Sequence, residues 1–182
     1  MFIEAVYGEK LKHEFCCKGI QFEMVECPAT VWCGTLGYAK NNTDEPDIDG
    51  LLEKYQAVCG VPKRERAMPE WSCAISIDYW KNGEAPRGMM FAQQVLTADQ
   101  AIEHDVYTMP ESLYIRVANT AETANAAFGK DSCEVYELFG VIKDVLDECG
   151  YAFGTSGAQE IEMYNHSAGL FYAYVPVVRK DV

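Results

Sequence analysis

The amino-acid sequence predicts an α+β protein made of two pseudo-symmetric strand-strand-helix-strand-strand repeats, with a largely antiparallel sheet around a central groove. Three observations support this: a weak internal duplication, an excess of strand-like over helical segments in each half, and turn-rich stretches that join the later strands as hairpins. With 182 residues, the chain has the length of a single domain. We expect one domain over residues 1–182, repeats at approximately 20–97 and 104–180, and an N-terminal extension at 1–19.

The first two strands of each repeat are predicted on either side of a proline. Segment 24–34 reads MVECPATVWCG and segment 106–116 reads VYTMPESLYIR, so each has two apolar runs with a proline between them. Proline cannot donate a hydrogen bond within a central strand. We therefore expect Pro28 and Pro110 to mark a bulge or a corner between two strand segments.

One amphipathic helix is predicted in each repeat, over 48–59 in the first half and over 135–149 in the second. Apolar residues recur there at helical spacing. The glycines that follow, Gly60 and Gly150, are typical of a helix end. The expected N-terminal caps are Asp47 for the first helix and Asp131, in a capping box with Glu134, for the second.

Two strand segments follow each helix. Residues 72–79 alternate between polar and apolar side chains, and a turn-rich stretch leads from them into 89–96. In the second half, 160–164 leads through another turn into 171–178. These pairs predict antiparallel hairpins, whereas residues 38–46 are expected to form an exposed loop.

The charge balance bears on the possible partners. Lys and Arg total 15 against 28 Asp and Glu, which gives a formal net charge of −13. This argues against direct nucleic-acid binding, which depends on clustered Lys and Arg. The sequence contains neither a signal peptide nor an apolar stretch of about 20 residues. We therefore expect a cytoplasmic protein without membrane attachment, whose eight cysteines are reduced.

The strand at 160–164 carries acidic residues in an unusual place. Alternation puts Ile161 and Met163 on one face, and Glu160, Glu162 and Tyr164 on the other. Glutamate is disfavoured within strands unless its face is wet. This face either meets solvent or lines a cleft in which Glu162 and Tyr164 are neighbours, and periodicity alone does not decide between the two.

Aromatic residues form a second candidate feature. Tyr172 and Tyr174 share one face of a predicted strand, and Trp32 and Tyr114 occupy equivalent positions after the two prolines. Trp71 precedes the strand at 72–79. Such residues either fill a core or line a groove that binds cations and flat organic molecules.

Several short motifs resemble the GyrI-like (gyrase-inhibitor-like) domain, which is also the effector-binding domain of AraC- and MerR-type regulators. They are Gly150-Tyr151, the later Glu162-Met163-Tyr164, the closing strand FYAYVPV at 171–177, and YTMPESLYIRV at 107–117. The resemblance covers roughly residues 20–180. Ser112 departs from the family pattern, where glycine is common. The chain also lacks an attached helix-turn-helix, so a stand-alone binding domain is expected.

The resemblance implies a groove that binds small cationic or aromatic ligands above an acidic floor. Carried over to this sequence, the acid is Glu162, with Tyr164 beside it. The ligand-binding candidates are Glu162, Tyr164, Trp32, Trp71, Tyr114, Tyr172 and Tyr174. An aromatic groove around one carboxylate is expected to bind many ligand shapes, because stacking and cation–π contacts do not require strict shape recognition.

Two alternatives stay open. Some members of the resembled family hydrolyse reactive cyclopropane-bearing natural products, and here Glu162 and Tyr164 would be the catalytic pair. Other members bind DNA gyrase, so a protein partner, either gyrase or a separate regulator, is a further possibility. No motif for a nucleotide, a dinucleotide or a serine nucleophile is present, and no zinc spacing occurs. We expect no cofactor and no metal.

Overall fold

The computed structural model describes residues 1–58, 64–154 and 157–181. The strands and helices, in chain order, are β1 (Lys10–Cys17), β2 (Ile20–Cys27), β3 (Thr30–Tyr38), α1 (Ile48–Val58), β4 (Ser72–Ile77), β5 (Gly88–Val95), β6 (Asp105–Met109), β7 (Ser112–Ala118), α2 (Ala121–Phe128), α3 (Glu137–Val145), β8 (Tyr151–Phe153), β9 (Glu160–Asn165) and β10 (Leu170–Arg179). A short 3-10 turn at Tyr79–Lys81 follows β4.

All of these strands belong to one sheet, and every described pairing is antiparallel. The order is β1-β2-β7-β10-β9-β4-β5-β3-β6, with β8 paired to β10 beside this path. The predicted α+β class and the antiparallel sheet are confirmed. The two hairpins predicted after the helices are β4–β5 and β9–β10.

The strand order has an internal symmetry. The strands of the first half, β2, β3, β4 and β5, correspond in order to β6, β7, β9 and β10 of the second half. If each strand is replaced by its counterpart, the order from β2 to β6 becomes the same order read backwards. The first strand of each half pairs with the second strand of the other half, and β4 meets β9 at the centre. This arrangement supports the proposed internal repeat. Residues 10–17 of the N-terminal extension add β1 outside β2.

The connections show that the sheet is strongly curved. Only two residues separate β2 from β3, although five strands lie between them in the sheet. A connection of that length spans about 11 Å at most, so the two ends of the sheet must approach each other. Pro28 and Pro110 lie in this connection and its counterpart between β6 and β7. The predicted corners are confirmed.

The curved sheet has a buried inner face and a helix-covered outer face. Inward side chains of eight strands form a core together with Ala5 and Val6 of the N-terminal segment. On the outer face, α3 packs against β7 and β10, and α1 packs against β3 and β5. The outer face of β4 and β9 therefore lies between the two helices.

Several helix details differ from the sequence prediction. The side chain of Asp47 accepts the Gly50 backbone N–H at 3.1 Å, as expected for a cap, whereas Cys59 and Gly60 lie outside the described residues. The predicted Asp131 cap is wrong, because α3 starts later and the Glu137 carboxylate accepts the Glu134 backbone N–H at 2.8 Å. Gly150 follows that helix with a φ of +77°, as glycine readily allows.

Two further elements were not predicted. Helix α2 begins after Thr120, whose hydroxyl accepts the Thr123 backbone N–H at 3.1 Å. Strand β1 pairs with β2 at an edge of the sheet.

None of the described helices is both long and apolar enough to cross a membrane. No disulfide joins any of the described cysteines.

Candidate functional site

A cavity of about 530 Å³ opens on the outer face of the sheet between α1 and α3. Its floor is the surface of β5, β4 and β9, and its walls come from both helices and from the turn after β4. The lining residues are Glu45, Ile48, Leu52, Ala74, Ser76, Tyr79, Met89, Phe91, Tyr136, Phe139, Glu160, Glu162 and Tyr164.

Small residues on the central strand create the space. Ala74 of β4 pairs with Glu162 of β9 on one side and with Phe91 of β5 on the other. Two residues further along β4, Ser76 occupies the equivalent position between Glu160 and Met89. Because paired residues of antiparallel strands point to the same face, larger side chains surround Ala74 and Ser76 and leave a hollow above them.

Glu162 lies at the floor of this cavity with 6% of its surface exposed. The Tyr164 hydroxyl donates a hydrogen bond to Glu162 Oε2. Burial raises the pKa of Glu162 to about 6, because the apolar surroundings disfavour its charged form. The Tyr164 hydrogen bond opposes this rise in pKa, and Glu134 and Glu160 add to it. Burial and the adjacent carboxylate raise the pKa of Tyr164, so its phenol stays protonated as a donor.

The three lining carboxylates differ in their partners. Glu160 forms an ion pair with Lys143 of α3. Glu45 forms one with Arg87 and accepts the Tyr79 hydroxyl at 2.8 Å. Among the described residues, no cationic side chain pairs with Glu162. The cavity therefore contains one buried carboxylate whose charge no described residue balances in an ion pair.

Aromatic rings from three elements and one turn surround this carboxylate. Tyr79 comes from the turn after β4, and Phe91 from β5. Tyr136 and Phe139 come from the start of α3, where Tyr136 is 59% exposed at the rim and Phe139 is buried. Tyr164 packs against Phe171 with a ring-centroid distance of 5.9 Å. The cavity can therefore offer several ring faces and one negative charge to a ligand.

The sequence-predicted site residues do not come together as a group. Glu162 and Tyr164 line the cavity, whereas the five other candidates belong to the inner core: Trp32, Trp71, Tyr114, Tyr172 and Tyr174. Their placement around the groove is wrong, and the register gives the reason. Tyr172 pairs with Met163 and Tyr174 with Ile161, so both point away from the face of Glu162.

Polar contacts inside the core satisfy these buried aromatic side chains. The Trp32 indole N–H donates to Thr30 Oγ1 at 2.9 Å. The Tyr174 hydroxyl donates to Glu9 Oε2 at 2.9 Å and accepts from Arg116 Nη1 at the same distance. The Arg116 guanidinium also lies 4.3 Å from the Tyr172 ring centroid. These contacts occupy the polar groups of Trp32 and Tyr174 and one face of the Tyr172 ring within the protein itself.

Sequence reasoning missed most of the aromatic wall. Tyr79 is the last residue of the strand predicted over 72–79, and its sequence position alone does not place it over Glu162. Phe139 belongs to the predicted apolar stripe of the second helix, where a core role was the natural interpretation. Phe91 shares the face of Glu162 only because β4 links β5 to β9. The pairing order of the strands was the missing information.

Comparison with known proteins places the fold but not the family. No protein-family model and no curated protein matches this sequence. A putative transcription regulation protein from Staphylococcus aureus superposes with a TM-score of 0.58 at 14% identity, covering 90% of this chain and 100% of the other. SAV2435, solved with bound tetraphenylphosphonium, gives 0.56 at 12% identity, covering 86% of this chain and 93% of the other. EcmrR, solved in a complex with DNA, gives 0.51 at 12% identity, covering 91% of this chain and 59% of the other.

These likenesses show a shared fold. They are consistent with the GyrI-like effector-binding fold that the sequence resembles.

Proposed function

We propose that this protein binds lipophilic aromatic molecules that carry a single positive charge, in the cavity between α1 and α3. The observation that carries the proposal is Glu162, a buried carboxylate beneath aromatic walls that forms no ion pair with any residue that the structure describes. Glu160 and Glu45 line the same cavity, but Lys143 and Arg87 already balance their charges. One unbalanced negative charge favours a monocation.

The energetics of the site fit this ligand class. Keeping an unpaired carboxylate buried costs free energy, which the raised pKa of Glu162 reflects. A cation that enters the cavity supplies the missing opposite charge. Contacts between the cation and aromatic rings contribute about 0.5–2 kcal/mol each, and burying the apolar part of the ligand adds to this. Binding is then driven by charge and apolar burial, so one pocket can accept several ligand shapes.

The comparisons add independent support. SAV2435, which has the same fold, was solved with tetraphenylphosphonium, an aromatic monocation. Tetraphenylphosphonium is therefore a rational first probe for this chain. A role in transcription regulation is a weaker proposal, supported by the likeness of fold to a putative transcription regulation protein and to the DNA-bound EcmrR.

Hydrolysis is the second candidate, and the pKa of Glu162 favours it. A carboxylate with a pKa of about 6 accepts a proton more readily than an ordinary glutamate. Glu162 would take a proton from water while the water oxygen bonds to a cyclopropane carbon and a ring C–C bond breaks. The Tyr164 hydroxyl, turned away from Glu162, would then donate to the anion that the opened ring leaves. Product analysis with reactive cyclopropane-bearing compounds tests this activity. The hypothesis of a protein partner, gyrase or a regulator, stays a prediction from charge and resemblance.

The test compares two probes on three proteins. Tetraphenylphosphonium and the neutral triphenylphosphine oxide are titrated into the wild type, Glu162→Gln and Glu122→Gln. We expect Glu162→Gln to weaken the cation by more than tenfold and to change the neutral probe by less than twofold. Glu122 is exposed on α2, away from the cavity, so Glu122→Gln matches the change in net charge and should leave both affinities unchanged. Equal losses for both probes in Glu162→Gln would contradict the proposal.

A further inference from the structure

A second chamber adjoins the cavity on the side of Tyr164. Its volume is about 570 Å³, and it shares Leu52, Phe91 and Tyr164 with the first chamber. Its remaining lining is more polar than that of the first: Tyr55, Gln56, Ser72, Cys73, Gln93 and His166. A ligand bound over Glu162 can therefore extend past the Tyr164 ring without leaving the protein surface.

Gln93 gives this chamber a defined hydrogen-bonding character. Its Nε2 donates to the Pro69 carbonyl oxygen at 3.3 Å. A carbonyl can only accept, so this contact fixes the amide with its nitrogen toward Pro69. The other end of the amide, Oε1, is buried and has no hydrogen-bond partner in the part of the chain that the structure describes. Leaving such an acceptor unsatisfied costs free energy, which a donor on a ligand would recover.

The strand register gives the distance between the two sites. Ser72 of β4 pairs with Tyr164 of β9, and the β4–β5 register continues to place Gln93 opposite Ser72. Gln93 therefore lies two strands away from Glu162 and two residues further along the strand direction. With strands about 4.8 Å apart and about 3.4 Å of rise per residue, the backbone separation is on the order of 12 Å. A ligand that reaches both residues must be elongated.

We infer that the natural ligand is an elongated aromatic monocation whose tail ends in a hydrogen-bond donor, with the charge at Glu162 and the donor at Gln93 Oε1. This inference rests on the proposed function and adds the class of ligand. The head group occupies the aromatic first chamber, and the tail runs beside the Tyr164 ring into the second. Gln93 then determines specificity for the tail, while Glu162 determines it for the charge.

The experiment uses a matched pair of tailed probes. One is a triphenylphosphonium cation with an ω-hydroxyhexyl chain, and the other carries a plain hexyl chain. Both are titrated into the wild type and into Gln93→Leu, with tetraphenylphosphonium as the tailless reference. We expect the hydroxyl to improve wild-type affinity by roughly fivefold, as one recovered hydrogen bond would give. In Gln93→Leu this preference should vanish, and the affinity for tetraphenylphosphonium should stay within twofold.

Each other outcome identifies which part fails. Equal affinities of the two tailed probes for the wild type would overturn the role of Gln93. Binding of tetraphenylphosphonium but of neither tailed probe would show that the second chamber accepts no tail. A hydroxyl preference that persists in Gln93→Leu would place the donor elsewhere and also refute the inference. Failure of all three cations to bind would instead refute the proposed function itself.

Discussion

Replacing Glu162 with glutamine is expected to stabilise the folded protein at neutral pH while it removes the charge needed for the ligand. In the folded protein, burial raises the pKa of Glu162 from 4.5 to about 6. Each pKa unit corresponds to about 1.4 kcal/mol. Keeping Glu162 ionised in the fold therefore costs about 2 kcal/mol above pH 6, an upper value for what Glu162→Gln can recover. The amide oxygen of glutamine can still accept the Tyr164 hydroxyl.

The pH dependence fixes the sign of this effect. Glu162 is ionised in both the folded and the unfolded protein above pH 6, so the full cost is present there. Below pH 4.5 it is protonated in both states, and the cost is absent. The stability advantage of Glu162→Gln should therefore be greatest near pH 7.5 and should shrink as the pH falls from 6 to 4.5.

Chemical denaturation at pH 7.5, 6 and 4.5 measures this advantage, with thermal unfolding as a second readout. For a protein of this size, 2 kcal/mol corresponds to an increase in Tm of about 4–8 °C. Glu160→Gln is the matched control, because it removes a carboxylate that Lys143 already balances. It should give no comparable gain. A Glu162→Gln variant that is less stable than the wild type at pH 7.5 would refute the reasoning.

Three further predictions test the site and the core. Lys143→Gln leaves Glu160 without its cation, so that two carboxylates of the cavity lack a partner. An aromatic bis-amidine, with two positive charges, should then gain roughly three- to tenfold in affinity relative to the matched mono-amidine, and unchanged relative affinities in a parallel titration would contradict the charge assignment. Ala74→Leu should fill the cavity floor, weaken the binding of tetraphenylphosphonium by more than tenfold and change the Tm little. The control, Ala173→Leu, lies in the packed core under α3 and should lower the free energy of unfolding by about 1–3 kcal/mol. Trp32→Ala should cost about 3–5 kcal/mol in denaturation experiments and leave the affinity of the folded protein nearly unchanged; a stable variant with lost binding would return Trp32 to the site.

Much of the fold could be predicted because local chemistry determines it. Pro28 and Pro110 mark the corners, and alternation separates Glu162 from Ile161 and Met163 correctly. Helix α2 was missed because its segment, AETANAAF, has no strong apolar stripe, and only Ala124 and Thr123 are buried in it.

The choice of face could not be predicted from the sequence. Alternation shows that Tyr172 and Tyr174 share a side but not which side is open. In this fold both faces of the central strands are buried, one by the curvature of the sheet and the other by helices. Aromatic residues therefore look alike on either face. Only the pairing of β9 with β4, and of β4 with β5, shows that Phe91 belongs beside Glu162.

The most direct test of the central claim is the affinity for tetraphenylphosphonium measured from pH 5 to pH 8. The charge of this probe does not change with pH, and with a pKa of about 6 only about a tenth of Glu162 is ionised at pH 5. We predict that binding is about tenfold weaker at pH 5 than at pH 7.5, with the decline beginning near pH 6. Glu162→Gln should bind weakly at every pH. An affinity in the wild type that does not vary with pH, or a decline that persists in Glu162→Gln, would contradict the account.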